Sequence, residues 1–222
     1  MKSSLKNMVV VLATITTVTS FAVGYVYKIT KEPIRKSKVQ KTKSALEEVL
    51  PSFETLSEPQ KLMVYDTDAE NIIIYKATDA NDAYVGCAVE SYSNNGYGGT
   101  IRLVVGFDVN NSINKIAVVG HSETPGLGAK ITETESPFIV QFQGKNPNEF
   151  KLSVKPDGGD VDAITASTIS SRAYTDAVKR AFEGVKKSLG EEVDAVGSAT
   201  SQYTKAEATQ DADNNQKTDD NE

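Results

Sequence analysis

From Asn7 to Tyr27 the chain carries no charge, and Met8–Tyr27 reads MVVVLATITTVTSFAVGYVY. As a helix, 20 such residues rise about 30 Å, the thickness of a bilayer core. The threonines weaken the hydropathy, but their hydroxyls can bond back to helix carbonyls. Tyr25 and Tyr27 fall at an interface, followed by Lys28 and Lys31. The pattern predicts an uncleaved membrane anchor. A cleaved signal peptide is the alternative, because Ser20-Phe21-Ala22 resembles a small-x-small processing site. After Pro33, residues 34–50 read as helix, with Ile34, Val39, Leu46, Val49 and Leu50 apolar and Pro51 as the stop.

The period then shifts to two. Ile72–Tyr75, Tyr84–Val89, Ile101–Phe107 and Ile113–Val119 are β-rich runs. Asn94-Asn95-Gly96 and Asp108-Val109-Asn110-Asn111 supply turn residues between them, which predicts an antiparallel meander. Ser170–Leu189 returns to helical period, with Ala173, Ala177, Val178, Ala181, Phe182, Val185 and Leu189 on one face and Gly190 as its stop. Residues 191–222 are rich in Asp, Asn, Gln, Thr and Ala, which predicts a disordered acidic tail. The expected class is α+β: one N-terminal transmembrane helix, then a domain with a largely antiparallel sheet and flanking helices.

Charge changes this picture in one respect. Residues 1–43 hold nine Lys/Arg and one Glu, whereas residues 191–222 hold nine Asp/Glu and two Lys. A basic leader, an acidic body and an acidic tail exclude an ordinary nucleic-acid binder and point the basic end at a membrane surface. Two basic residues precede the span and seven follow it in residues 28–43, so the positive-inside rule taken alone places the following domain in the cytoplasm. With 222 residues and 39% apolar content, the chain has enough for one ordinary core plus appendages. One Cys (Cys87) excludes an internal disulfide framework, and one His (His121) excludes multi-histidine metal sites.

Two stretches are candidates for chemistry. Gly120-His-Ser-Glu-Thr-Pro-Gly-Leu-Gly128 follows a strand directly, and Pro125-Gly126 suits a type II turn. Gly126 and Gly128 let a flat ligand approach the backbone. The same residues also suit an ordinary strand-to-loop turn, and His121 is either a base or a structural residue. The second stretch, Asp160-Val-Asp-Ala-Ile-Thr-Ala-Ser-Thr-Ile-Ser-Ser-Arg172, puts five hydroxyls in seven residues at a helix entrance. Thr165, Ser167, Thr168, Ser170 and Ser171 either cap the helix or line a phosphate site. Arg172, four residues after Thr168, can face the same anion. Asp157, Asp160 and Asp162 hint at a cation loop or form a plain acidic turn. Standard nucleotide-binding glycine signatures are missing.

Asp162-Ala-Ile-Thr-Ala-Ser-Thr168 resembles the flavinylation motif Asp-x-x-Ser/Thr-Gly-Ala-Thr of membrane FMN-binding subunits. These are the G subunit of the Rnf ion-translocating electron-transport complex and the C subunit of the sodium-pumping NADH:quinone reductase. His121–Gly128, Val140-Gln-Phe-Gln-Gly-Lys145 and the single N-terminal span are similar to the same family, and the resemblance covers about residues 1–190. Ala166 stands where the motif has Gly, and Ser167 where it has Ala. The resemblance implies FMN joined through its phosphate to Thr168 by a flavin transferase that recognises Asp162. It implies further flavin contacts from Thr165, Ser167, Arg172, Glu123, Thr124, Gly126, Leu127 and Gly128, with no catalytic acid or base and no metal. It also places the domain on the extracytoplasmic side of the cytoplasmic membrane, against the charge count.

The expected organisation is a cytoplasmic end and anchor (1–30), a basic helical stalk (31–60), an FMN-binding domain (61–190) and an acidic tail (191–222). The expected function is electron carriage in an Rnf-type complex coupling ferredoxin/NAD electron transfer to ion translocation. Expected partners are the other membrane subunits, the flavin transferase and membrane lipid, with no nucleic acid. Two alternatives are the C subunit of the sodium-pumping reductase and a cofactor-free anchored extracellular binding module.

Overall fold

The computed structural model describes residues 5–66, 68, 70–133 and 135–190, so the acidic tail expected over 191–222 lies outside the described residues. The chain divides into two units, with the boundary between Lys43 and Ser44.

The first unit is the bulk of helix α1 (Leu5–Val49), which is unbroken for 45 residues. Pro33 lies inside it and does not start a new helix. A proline removes one i→i−4 bond, and the turns on both sides hold the helix across that gap. The threonine hydroxyls bond backwards as their sequence predicts: Thr14 donates to Val10 O at 2.8 Å, Thr17 to Ala13 O at 2.7 Å and Thr19 to Ile15 O at 2.7 Å. With its hydroxyls satisfied on the helix itself, the Leu5–Tyr27 segment offers an apolar outer surface. Among the described residues α1 is the one helix long and apolar enough to cross a membrane.

The second unit is built on a single antiparallel sheet. Its strands are β1 (Thr55–Leu56), β2 (Gln60–Leu62), β3 (Ile72–Thr78), β4 (Tyr84–Gly96), β5 (Gly99–Asp108) and β6 (Ile113–Gly120). The spatial order is β1-β3-β4-β5-β6, with β2 also pairing along β3. β3 to β6 form the expected meander. After β6 come a short 3-10 turn (Gly128–Thr132), the one-turn helix α2 (Pro137–Val140), and α3 (Thr168–Ser188).

Both faces of the sheet are covered, and the period-two pattern says with what. Cys87, Val89, Leu103, Val105 and Phe107 point to α3, where they meet Ala173, Ala177, Val178, Ala181, Phe182 and Val185. Ala77, Ala88, Val104 and Ala117 point to the other face and meet Ala45, Leu46 and Val49 from the last turns of α1, and Leu50 just after it. Small residues on that face let the helix end sit close. A Cβ on Gly106 would lie 2.0 Å from Val49 O, and the Asn114 amide donates to that carbonyl at 2.7 Å. On the opposite face a Cβ on Gly184 would meet Ile72 Cδ1 at 2.0 Å, so α3 rides equally close to β3.

Three expectations need correction. β4 runs on through Asn94-Asn95-Gly96, and the turn is Tyr97-Gly98. Asn94 Oδ1 accepts from Thr100 Oγ1 at 2.8 Å across the hairpin, so the asparagine is held as a cross-strand partner. α3 begins two residues early, at Thr168. Leu189 lies past its end and is exposed, while Tyr174, outside the expected face, is fully buried. Gly190 does take the left-handed conformation of a helix stop, with φ +83°.

Candidate functional site

A cleft of about 590 Å³ opens where three separated segments meet: the β4–β5 hairpin tip, the loop after β6, and the start of α3. Its lining is Tyr97 from the first; Glu123, Thr124, Leu127 and Gly128 from the second; and Ala166 to Ser170 from the third. That size lies inside the range of cofactor pockets, roughly 300–1,000 Å³.

Glu123 joins the three segments. It is only 5% exposed, its Oε1 accepts from Gly98 N at 3.1 Å, and its Oε2 accepts from Ser170 Oγ at 2.6 Å. Its own N–H donates to His121 Nδ1 at 3.1 Å, which makes His121 a support of this loop. Glycines let the segments close on the carboxylate. A Cβ on Gly128 would stand 2.5 Å from Ser170 Oγ and 2.6 Å from Glu123 Oε2, and one on Gly98 would stand 2.0 Å from Ser122 O. Pro125-Gly126 makes the expected turn, with Gly126 at φ +76° and Leu127 N donating to Thr124 O at 3.2 Å.

The third segment presents a helix start to the cleft. The first N–H groups of any helix lack intrahelical acceptors. At α3 the N-cap residue, Ser167, is buried and its side chain makes no capping hydrogen bond. The serines that follow are committed to the fold: Ser170 to Glu123, and Ser171 Oγ to Ser167 O at 3.0 Å while accepting from Ile164 N at 2.9 Å. Thr168, half-buried at the first helical position, lines the cleft. The hydroxyl cluster is therefore not a capping box, and the open N–H groups with the positive dipole end suit an anion. Ala166 holds the strained step into this helix, with φ +61°.

Other expected site residues lie elsewhere. Arg172 turns away from the cleft and grips Asp157 in a fork, Nε to Oδ2 and Nη2 to Oδ1 both at 2.8 Å. Asp162 and Thr165 line a second cleft with Lys130, Glu133, Phe138 and Gln141. There Gln141 clamps the Asp162 backbone, accepting its N–H at 2.7 Å and donating to its carbonyl at 3.0 Å, while Lys155 pairs with its carboxylate at 2.7 Å. Asp160 accepts from Lys151 N at 2.7 Å. With each aspartate separately engaged, no metal-binding cluster exists among the described residues. Gly126 shapes its loop without lining the cleft.

Comparison with known proteins sets the family. Residues 96–183 match the model described as FMN-binding domain. A relative from Aliivibrio fischeri (strain ATCC 700601 / ES114), the G subunit of an ion-translocating oxidoreductase complex, is 33% identical over 190 residues, covering 82% of this chain and 90% of that protein. This chain belongs to the family of G subunits of ion-translocating oxidoreductase complexes. The protein of the same name from Shewanella amazonensis (strain ATCC BAA-1098 / SB2B) is 32% identical over 188 residues, 81% of this chain and 86% of that one. Among solved structures, NqrC of Shewanella oneidensis is similar at TM-score 0.38 and 21% identity, covering 62% of this chain and 66% of that chain.

In this member of the family, the matched FMN-binding domain contains all three segments of the cleft. Tyr97, Ala166 and Ile169 are lining residues that sequence reasoning missed, whereas Ser170 was among its candidate hydroxyls. For Tyr97 the available signal was an aromatic residue between the glycines of a hairpin turn, a place where a ring rarely packs into the core.

Proposed function

We propose that the cleft holds FMN, tethered as a phosphoester to Thr168 Oγ1, and that the protein carries electrons between other subunits of a membrane-bound ion-translocating oxidoreductase. The observation that carries this reading is the uncapped start of α3 opening into a cleft with Thr168 at its edge. The residues present fit the group. A polar floor of Ser167, Thr168 and the α3 N–H groups suits a phosphate, and the Thr124–Gly128 loop and Tyr97 supply the opposite walls of a cleft of cofactor size. The cofactor supplies the one- and two-electron chemistry when bound. The protein's part is to hold it, orient it and set its surroundings.

Thr168 fixes one end of the group, and the first turn of α3 stabilises the phosphate charge by dipole and N–H groups. The Thr124 side chain offers a hydroxyl along the loop. Glu123 holds the walls through both carboxylate oxygens, and His121 supports the loop through Nδ1, which accepts from the Glu123 N–H. Attachment adds FMN less one water to the chain: the Thr168 Oγ–P bond forms as the P–O bond between the flavin phosphate and the donor's leaving group breaks, and the Thr168 hydroxyl proton goes out with that leaving group. Asp162, held by Gln141 and Lys155 beside the second cleft, is a recognition residue for the transferase.

The α1 span anchors the domain, and an extracytoplasmic location follows from the need to meet an exported transferase. The basic residues between Lys28 and Lys43 lie against anionic lipid headgroups at that surface. Co-expression of the full chain with a flavin transferase tests the reading on a denaturing gel under ultraviolet light. A fluorescent band that Thr168→Ala abolishes supports it. A dark wild-type band, with the transferase active on a control substrate, overturns it in favour of a cofactor-free module.

A further inference from the structure

The cleft has a polar floor and an apolar rim, and the rim is the unexplained part. Tyr97 is 72% exposed, Leu127 46% and Ile169 48%, each on a different segment facing the same opening. Tyr97 is the most exposed of the three and the one aromatic residue in the lining. Its backbone is nevertheless pinned. Gly98 lies flush on the Ser122–Glu123 backbone, Gly98 N donates to Glu123, and Gly96 pairs with Gly99 at the base of the turn. A large ring held out from a fixed backbone, over a cleft, leaves most of its surface in water. Covering that surface is worth about 25 cal/mol per Å² of apolar area, and aromatic pairs gain further by offset stacking.

We infer that Tyr97 is a positioning residue that packs its ring against the isoalloxazine of the bound flavin and closes the solvent side of the cleft. This rests on the reading that FMN is attached at Thr168. Thr168 and Tyr97 stand on separate walls of the cleft, so a group tethered at one has the other within its enclosure. Leu127 and Ile169 line the same opening and would add aliphatic contact to a bound ring. The hairpin tip thus determines how much of the ring meets water or a neighbouring protein of the complex.

Flavin emission reads this directly, because a stacked phenol ring quenches it and the chain has no Trp to do so instead. The full chain, co-expressed with a flavin transferase and purified in detergent, is compared as wild type, Tyr97→Phe and Tyr97→Leu. Attached flavin is measured on denaturing gels, and emission per attached flavin is measured before and after denaturation. Wild-type emission should rise several-fold on denaturation. Tyr97→Leu should show most of that rise already in the native state with unchanged attachment, and Tyr97→Phe should fall between. Native emission per flavin in Tyr97→Leu equal to wild type overturns the role of Tyr97 while leaving the Thr168 attachment intact. A wild type without attached flavin overturns the underlying reading and this inference together. Folding of the variants is checked by near-ultraviolet circular dichroism, and if Leu disturbs it, Tyr97→Phe alone decides by the same criterion.

Discussion

Gly128→Ala is a sharp probe of the Glu123 clasp. Gly128 has no left-handed φ, so alanine is allowed by its backbone and the cost is steric. The added Cβ would stand 2.5 Å from Ser170 Oγ and 2.6 Å from Glu123 Oε2, in the middle of the 2.6 Å Ser170–Glu123 hydrogen bond. Overpacking of this kind costs about 1–3 kcal/mol. Loss of a hydrogen bond to a charged group adds about 1.5–3 kcal/mol. The stiffer unfolded chain returns about 0.4–1 kcal/mol. The net expectation is about 2–5 kcal/mol, a fall of about 5–15 °C in Tm for a domain of this size. Near-ultraviolet circular dichroism of the detergent-solubilised protein is the assay, since tyrosine signals report the domain while the far-ultraviolet signal is dominated by α1. In the Gly128→Ala background, Ser170→Ala should cost at least about 1 kcal/mol less than in wild type, because the bond is already broken and the clash eases. A Gly128→Ala protein within about 0.5 kcal/mol of wild type, or strict additivity of the pair, would refute the clasp.

Two further outcomes follow from the same geometry. Ala166 sits at φ +61°, where alanine is strained by about 1–2 kcal/mol, and Gly returns about 0.5–1 kcal/mol of that as unfolded-state entropy. Ala166→Gly should therefore be neutral to about 1 kcal/mol stabilising in the same melt, and a clear loss of stability would contradict the strain. Asp176 is buried on α3, accepting from Ser93 Oγ at 2.7 Å beside Arg180, and desolvation holds its carboxyl above its ordinary value of 3.8. The native state then keeps this proton to higher pH than the unfolded chain, so stability falls as pH rises from 3.8 through the raised native value. Asp176→Asn should flatten that fall in melts taken across acidic pH. Half-buried Glu90, shifted the same way by desolvation, should leave a residual slope.

The sheet and α3 were legible because one face of each strand and one stripe of the helix must be apolar, and that periodicity is written locally. Val104 between Leu103 and Val105 looked like a plain apolar run, and it is one because both faces of β5 are covered. The end of β4 was misread because Asn94 and Gly96 carry turn chemistry, while their pairing depends on partners across the hairpin. Arg172 shows the same limit. Its spacing from Thr168 places it on the expected side of α3, but Asp157, 15 residues back on another loop, takes its guanidinium. Glu123 was expected as a flavin contact, and the structure gives it a second role as the tie between hairpin, loop and helix. Tyr97 carried only the local hint of an aromatic residue between two glycines, because only the fold brings the hairpin tip to the loop after β6.

The most direct test of the central claim is a peptide map of the protein matured with a flavin transferase. Trypsin should release Leu152–Arg172 whole, because Lys155 precedes Pro156. This peptide carries Thr165, Ser167, Thr168, Ser170 and Ser171 together. The account predicts a peptide heavier by FMN less one water, with fragment ions placing the addition on Thr168. An unmodified peptide, or an addition placed on any other hydroxyl, would contradict it.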